Sequence, residues 1–528
     1  MEKNKRETYR NASIFSLFTI LSRFFGLIRD SLKAYAFGTG IFSVAFDIAF
    51  RIPNMLRNLV AEGALSHSFI PVYESYKSKN RLSEQQASGA VLSLIYISLS
   101  LFTLIAILLL PYILPYIMHG APRENNLVDV TIRLSQILFP YILLMSASSI
   151  YMGIQYSHGI FGMASFGPAL LNIVVIVFFG GYLLLHSTLV LEEQQEFLIY
   201  LFSYITLIAA FAQLWFQKHT VNKAGLKPHY TLNFKHPAIK NLFTLMLPAV
   251  FGAAVQELGQ LIDIYLATWI SNEVPGAVSA LTYAHRLIHL PMGIFGVAIA
   301  TASLPQLSRI YKENNHKEFH NTLWTALGLN LFLILPSTIG LIIFSEPIIG
   351  LLFERGNFDY NSTVITSQAL KYYAIGILGY SLQKLFMSSL YAQKNSRVPA
   401  IITFIVLLIN IILSILFMKY LYHAGLALGS SLASYAGLFI YMLLLIKKGL
   451  FLFDKNKFMD QLKIIIVNLI LLFILYYINK LLVNFHYGMK LFIAVPSGIM
   501  VYFLLSALFN VEEYKFYYNI IKHKIKRV

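Results

Sequence analysis

Five arginines stand inside apolar sequence: Arg23 and Arg29 within 13–37, Arg51 and Arg57 within 42–68, and Arg286 within 277–303. A guanidinium is planar, permanently charged, and forks onto two oxygens of one phosphate, so several in one place suit a pyrophosphate. At 1.5 Å per residue, Arg23 lies about 15 Å into its helix, Arg51 and Arg57 about 14 to 23 Å into theirs, and Arg286 about 14 Å. Each costs roughly 2.5 to 3.5 kcal/mol at such depth in a bilayer, on the order of 10 to 14 for these four, unless something relieves it. Stepping 100° per residue places Asp47, Arg51, Asn54, Asn58 and Glu62 within an arc of about 80°, with Arg57 to one side. Pro53 kinks this helix. A polar stripe facing inward implies a hydrated central cavity. In their own helices the arginines outnumber the acids Asp30, Asp47 and Glu62, so the cavity is expected to be cationic and to take an anion. The structural alternative pairs Arg51 with Asp47 and Arg23 with Asp30.

Weaker signals lie elsewhere. Asp263, with Asn410, is a candidate for coupling to Na⁺ or H⁺, or else the partner of a lysine such as Lys384. His285 and His289 stand one turn apart, and with no third ligand in view they line the cavity rather than hold a metal. The chain has 0 cysteines, which excludes disulfides, thiolate chemistry and cysteine metal sites. No G-x-x-x-x-G-K-[ST] occurs, which argues against direct use of ATP, and no cofactor is expected.

Helices must position these groups. With 57% hydrophobic and 12% charged residues over 528 positions and a mean hydropathy of +0.65, the chain reads as an integral membrane protein. Apolar windows predict helices near 13–37, 42–68, 88–118, 131–157, 162–186, 197–217, 241–270, 277–303, 319–343, 362–392, 396–418, 424–448, 461–483 and 488–510, fourteen in all. The charges in the first window exclude a cleaved signal peptide. A net charge of +17 suggests nucleic acid, but the lysines and arginines fall in alternate short loops. The positive-inside rule then places both termini in the cytoplasm. No loop exceeds about 25 residues, so no soluble catalytic domain is expected.

A repeat is visible. "FRIPNMLRNLVAEGALSHSFIPVYESY" resembles "HRLIHLPMGIFGVAIATASLPQLSRIY", pairing Arg51 with Arg286, Pro71 with Pro305 and Tyr76 with Tyr311. It predicts two six-helix lobes of like orientation: an N-terminal lobe over 1–225, a C-terminal lobe over 226–450, and two further helices with a basic tail over 451–528. The expected fold is all-α and polytopic, with the cationic cavity between the lobes.

The stretches "LSRFFGLIRD", "FRIPNMLRNLVAEGALSHSFIPVY", "FPYILL", "GPALLN", "YAHRLIHLPMGIFGVAIATASLPQLS", "LLFERGNF" and "HAGLALGSSLA" resemble the MurJ (MviN) lipid II flippases of bacteria. That family lies in the multidrug/oligosaccharidyl-lipid/polysaccharide (MOP) exporter superfamily, and the likeness runs from the first helix to the last. It implies a transporter, not an enzyme, in the bacterial cytoplasmic (inner) membrane. Its cargo would be lipid II, the undecaprenyl-pyrophosphate-linked peptidoglycan precursor, moved to the outer leaflet by alternating access. The family's cavity arginines fall on Arg23, Arg29, Arg57 and Arg286, and its motif glutamate on Glu62. The last two helices would hold the lipid tail. The expected partners are lipid II and membrane lipids, with a monomer that works beside the cell-wall synthesis machinery. Two positions depart from the pattern: relatives often carry an aspartate at Val44, where this chain has Asp47 one turn later, and an acid at His285. The rival readings are a flippase for another polyprenyl-pyrophosphate glycan and an ion-coupled drug exporter. A membrane-embedded transferase and a cell-wall scaffold fit the loops and buried charges less well.

Overall fold

A computed structural model describes residues 2–59, 66–118, 126–186, 192–393, 395 and 397–515. Glu62 lies outside them. Among the described residues every regular element is helical and there is no strand. That outcome follows from the solvent, because lipid offers backbone amides no partner and a helix satisfies them from within.

The helices run in order α1 (Glu2–Phe37), α2 (Ile41–Leu56), α3 (Ser66–Lys77), α4 (Arg81–Ile117), α5 (Leu127–Leu138), α6 (Tyr141–Ser157), α7 (Phe161–Val175), α8 (Gly181–Leu185), α9 (Glu192–Lys223) and α10 (Pro237–Trp269). They continue as α11 (Ala277–Pro291), α12 (Val297–Lys312), α13 (His316–Ile343), α14 (Ser345–Phe353), α15 (Tyr360–Ile375), α16 (Ile377–Ala392), α17 (Arg397–Lys447), α18 (Lys455–Leu481) and α19 (Tyr487–Leu508). Polar side chains start several of them. Asn80 Oδ1 accepts the Ser83 amide at 2.7 Å to open α4, and Asn315 and Glu318 form a reciprocal cap on α13.

Nine helices among the described residues are long and apolar enough to cross a membrane. One of them, α17, has 51 residues, a length of about 77 Å and more than twice a hydrocarbon core of roughly 30 Å. The chain turns back at Tyr422, with φ 50° and ψ −130°. Beyond the turn, Gly425 lies against the main chain of Phe417 and Met418, where a β-carbon would strike it. Asn410 Oδ1 also accepts from Ser430 across the hairpin at 3.1 Å. The two stretches expected at 396–418 and 424–448 are therefore both present.

The chain forms two compact units, Met1–Ser279 with Arg355–Asp359, and Ala280–Glu354 with Tyr360–Val528. In the first, Phe69, Tyr73, Val91, Ile150, Tyr151 and Leu214 build a core between α3, α4, α6 and α9. Helix α10, which the repeat assigns to the second lobe, packs here on α2, α3 and α4. In the second unit, Phe332, Ile464, Val467, Leu471 and Tyr502 join α13, α18 and α19.

The loop after α9 lies flat on α4, with the His229 amide bonded to Gln85 O at 2.9 Å. Gly89 makes room for it, because a β-carbon there would meet the His229 carbonyl and the Tyr230 amide, both main chain. Gly89→Ala is expected to cost about 1–3 kcal/mol through this overpacking. Thermal unfolding in detergent should show a lower midpoint than the wild type.

Candidate functional site

In the first unit α1 carries Arg23, Arg29 and Asp30. Arg29 bonds Asp30 Oδ1 through Nε at 3.1 Å and Nη2 at 2.8 Å, and its Nη1 donates to Asn172 Oδ1 on α7 at 3.1 Å. Asn172 is fixed in turn by its own donations to Ser22 O and Pro168 O. One guanidinium is thus oriented by a carboxylate and an amide. Arg23, two turns earlier, is exposed.

Helix α2 behaves differently from the expected single stripe. Arg51 reaches out to α10, where its Nη2 donates to Gln260 Oε1. Arg57 Nη2 donates to Asn58 Oδ1 at 2.9 Å, and Asn58 Nδ2 to Glu257 Oε1 of α10 at 3.1 Å. Asn54 is half-buried one turn after Arg51, and its carbonyl accepts the Arg57 amide. The helix widens here into a π-helical turn at 57–59, the kind of local distortion that gathers at functional positions.

Asp47 has partners outside its own helix. It is 9% exposed and is bonded through Oδ1 to Lys33 Nζ of α1 and through Oδ2 to Ser279 Oγ at 2.8 Å. Ser279 also bonds Ser43 Oγ at 3.0 Å. The reason is energetic: a buried carboxylate is tolerable with a close cation and donors on both oxygens, and Lys33, 4% exposed, supplies the cation. Sequence reading missed Lys33, Asn172, Glu257 and Gln260. The last two were signalled by E-x-x-Q-x-x-D in "VQELGQLID", a polar stripe on an apolar helix.

The charge balance changes accordingly. Among the described residues in the apolar stretches of α1, α2 and α10, Arg23, Arg29, Lys33, Arg51 and Arg57 face Asp30, Asp47, Glu257 and Asp263, an excess of one cation. Helix α10 thus contributes two carboxylates, Glu257 and Asp263, that the arginines' own helices do not contain.

In the second unit Arg286 is exposed on α11, and His285 and His289 pack ring to ring at 4.4 Å, with His285 also against Tyr373 at 5.4 Å. Among the described residues no His, Cys, Asp or Glu group of metal-binding size includes them. A π-helical stretch, Met292–Gly296, follows. It begins six residues after Arg286, as the other begins six after Arg51, so the repeat extends to local backbone geometry. Asn410 is 9% exposed and accepts from Ser414 at 3.2 Å and Ser430 at 3.1 Å. Asp263 is half-buried on α10 in the first unit. Lys384 on α16 has no ionic or hydrogen-bond partner among the described residues.

A multi-pass membrane protein, helical throughout its described residues and with arginines in its apolar helices, fits the transporter class. Its backbone matches an inward-facing MATE family multidrug resistance transporter of the MOP superfamily at TM-score 0.69 over 81% of this chain and 94% of that one, at 15% identity, a likeness of fold alone. Residues 33–495 match the family described as lipid II flippase MurJ, and the chain belongs to that family. It is 31% identical over 81% of its length to a probable lipid II flippase MurJ of Rickettsia prowazekii, covering 82% of that protein. It is 28% identical to the lipid II flippase MurJ of Burkholderia cenocepacia over 84% of each chain. A solved lipid II flippase MurJ in an inward closed conformation superposes at TM-score 0.77 and 28% identity, over 96% of this chain and 99% of that one.

Proposed function

We propose that this chain moves lipid II from the inner to the outer leaflet of the bacterial cytoplasmic membrane by alternating access. The observation that carries the reading is its membership of the MurJ family over residues 33–495, with the family's cavity arginines present at Arg57 and Arg286 within that span and at Arg23 and Arg29 just before it. Their guanidinium forks grip the pyrophosphate, with Arg51, Asn54, Asp30, Glu62 and His285 tuning the polar wall around it. Arg29 is already aimed by Asp30 and Asn172, which lowers the entropy lost on binding. Asp47 is assigned to a helix-locking pair rather than to that wall.

In this reading the chain crosses the bilayer fourteen times with both termini cytoplasmic. The functional lobes are 1–225 and 226–450, and the segment 451–528 holds the prenyl tail in lipid while the headgroup crosses. No bond of the cargo is broken, so the protein is not an enzyme, and it needs no cofactor. It acts as a monomer beside the cell-wall synthesis machinery. Asp263 and Asn410 are the candidates for coupling to Na⁺ or H⁺. Outward movement of a net anion is also favoured by an inside-negative potential, at about 2.3 kcal/mol per charge per 100 mV. Collapsing the potential at constant ion gradients should therefore slow transport, and an unchanged rate would remove voltage as a driver.

The deciding experiment measures lipid II at the outer leaflet of cells depleted of their own flippase, with and without this chain. Restored exposure is expected. Inner-leaflet accumulation despite normal insertion, or efflux of organic cations in its place, would overturn the assignment.

A further inference from the structure

Beyond α19, residues 512–515 form one more helical turn. From it the Glu513 side chain points inward, 9% exposed, over Gly328 of α13. A β-carbon at Gly328 would strike both Glu513 Oε1 and the amide of Gln461 on α18, so the two side chains converge on a bare position of that helix. Gln461 is 6% exposed. A hydrogen bond joins the pair, and the amide N–H must be its donor. That leaves Glu513 Oε2 and Gln461 Oε1 buried with no donor from the protein. Both are acceptors, and leaving two such atoms buried and unmatched costs about 1–3 kcal/mol apiece.

One hydrogen resolves both. A neutral carboxylic acid donates its O–H to the amide carbonyl while its other oxygen accepts the amide N–H, closing a ring of two bonds. We propose that Glu513 is a proton-binding site, held as the neutral acid in a cyclic pair with Gln461, and that this proton fastens the turn after α19 to α13 and α18.

The neighbours favour it. Burial first, then the carboxylates of Glu512 and Asp460, hold the Glu513 acid above its usual range, against the Gln461 bond and a main-chain bond that act the other way. On α18, Lys463 is engaged with Asp460 at 2.6 Å, although it also feels Glu512 and Glu513, and Lys457 lies toward Glu512. On α19, Tyr502 lies within electrostatic reach and donates to Phe332 O at 2.6 Å. From α13 the contact is glycine. Because the folded form binds a proton that the undocked form releases, docking is strongest in acid. It weakens as pH rises from the ordinary glutamate range through the raised one.

Infrared spectra of the full chain in lipid nanodiscs test this directly. At neutral pH a carboxylic acid C=O band is expected that titrates away in alkali and is missing from Glu513→Gln. Hydrogen exchange at 511–515, corrected for its intrinsic pH dependence, should speed up with rising pH in the wild type and stay flat in Glu513→Gln, whose amide can keep both bonds. Gln461→Met should shift the acid band upward by freeing its O–H. An ionised Glu513 at neutral pH, or the same exchange profile in wild type and Glu513→Gln, would overturn the proposal.

Discussion

An Arg57→Ala chain is expected to reach the membrane in normal amount and to fail to rescue a flippase-depleted bacterium. Arg57 closes α2 at the π-helical turn, and its Nη2 donates to the neighbouring Asn58 amide oxygen at 2.9 Å. An amide acceptor orients a guanidinium without itself cancelling the charge, and the planar fork is the part of the group that matches phosphate oxygens. One charge-assisted bond is worth about 1.5–3 kcal/mol, or a factor of roughly 10 to 150 in affinity. The same loss should follow Arg23→Ala and Arg286→Ala. Lysine at these positions keeps the charge but loses the planar fork, so rescue should be partial. Arg29→Ala is a poorer probe, since it also strips Asp30 and Asn172 of a donor and so disturbs packing between α1 and α7. The checks are growth on depletion, protein content of the membrane, and lipid II binding to purified protein. Full rescue by alanine at Arg23, Arg57 and Arg286 would remove the pyrophosphate grip from the mechanism.

The difference between what the sequence disclosed and what it hid is itself physical. Helical class was legible because apolar runs of about 20 residues match a membrane-crossing helix and not the short alternating strands of a barrel. The fold-back inside α17 was legible because no single helix of that length fits a bilayer. The repeat was legible through Arg51 and Arg286, and the structure extends it to the π-helical turns that follow each. Partner choice was not legible. A helical wheel places Asp47 and Arg51 on one face, but it contains no α1, and Lys33 captured Asp47 from there. Arg51 then found Gln260, on a helix more than 200 residues away by count of the chain. Such choices depend on which helices touch, and the pattern of one helix carries no term for its neighbours. Glu513 illustrates the same point beyond the apolar windows, where a charged residue in a tail is normally solvated and here is covered by α13 and α18.

The strongest effect on stability is expected at Lys33 and Asp47. Both are buried, and their ion pair is joined by Ser279 on Asp47 Oδ2 and by the Phe46 ring, 5.4 Å from the Lys33 ammonium. Asp47→Ala strips a buried ammonium of its carboxylate, a loss of about 3–5 kcal/mol when one member of such a pair is removed. Lys33→Met should cost somewhat less, because the Ser279 hydroxyl continues to donate to the carboxylate that remains. The double variant Lys33→Met/Asp47→Leu removes both charges and fills the space with apolar atoms, and buried pairs replaced in this way are often neutral or gain stability. Unfolding of the four proteins in detergent therefore gives a double-mutant cycle in which the double variant is more stable than either single one. Additive losses would mean that the two groups do not stabilise each other, and that α1 and α2 are held by their apolar contacts alone. Arg51 supplies the internal control, since Arg51→Met loses a bond to a neutral amide and should leave the Lys33–Asp47 coupling unchanged.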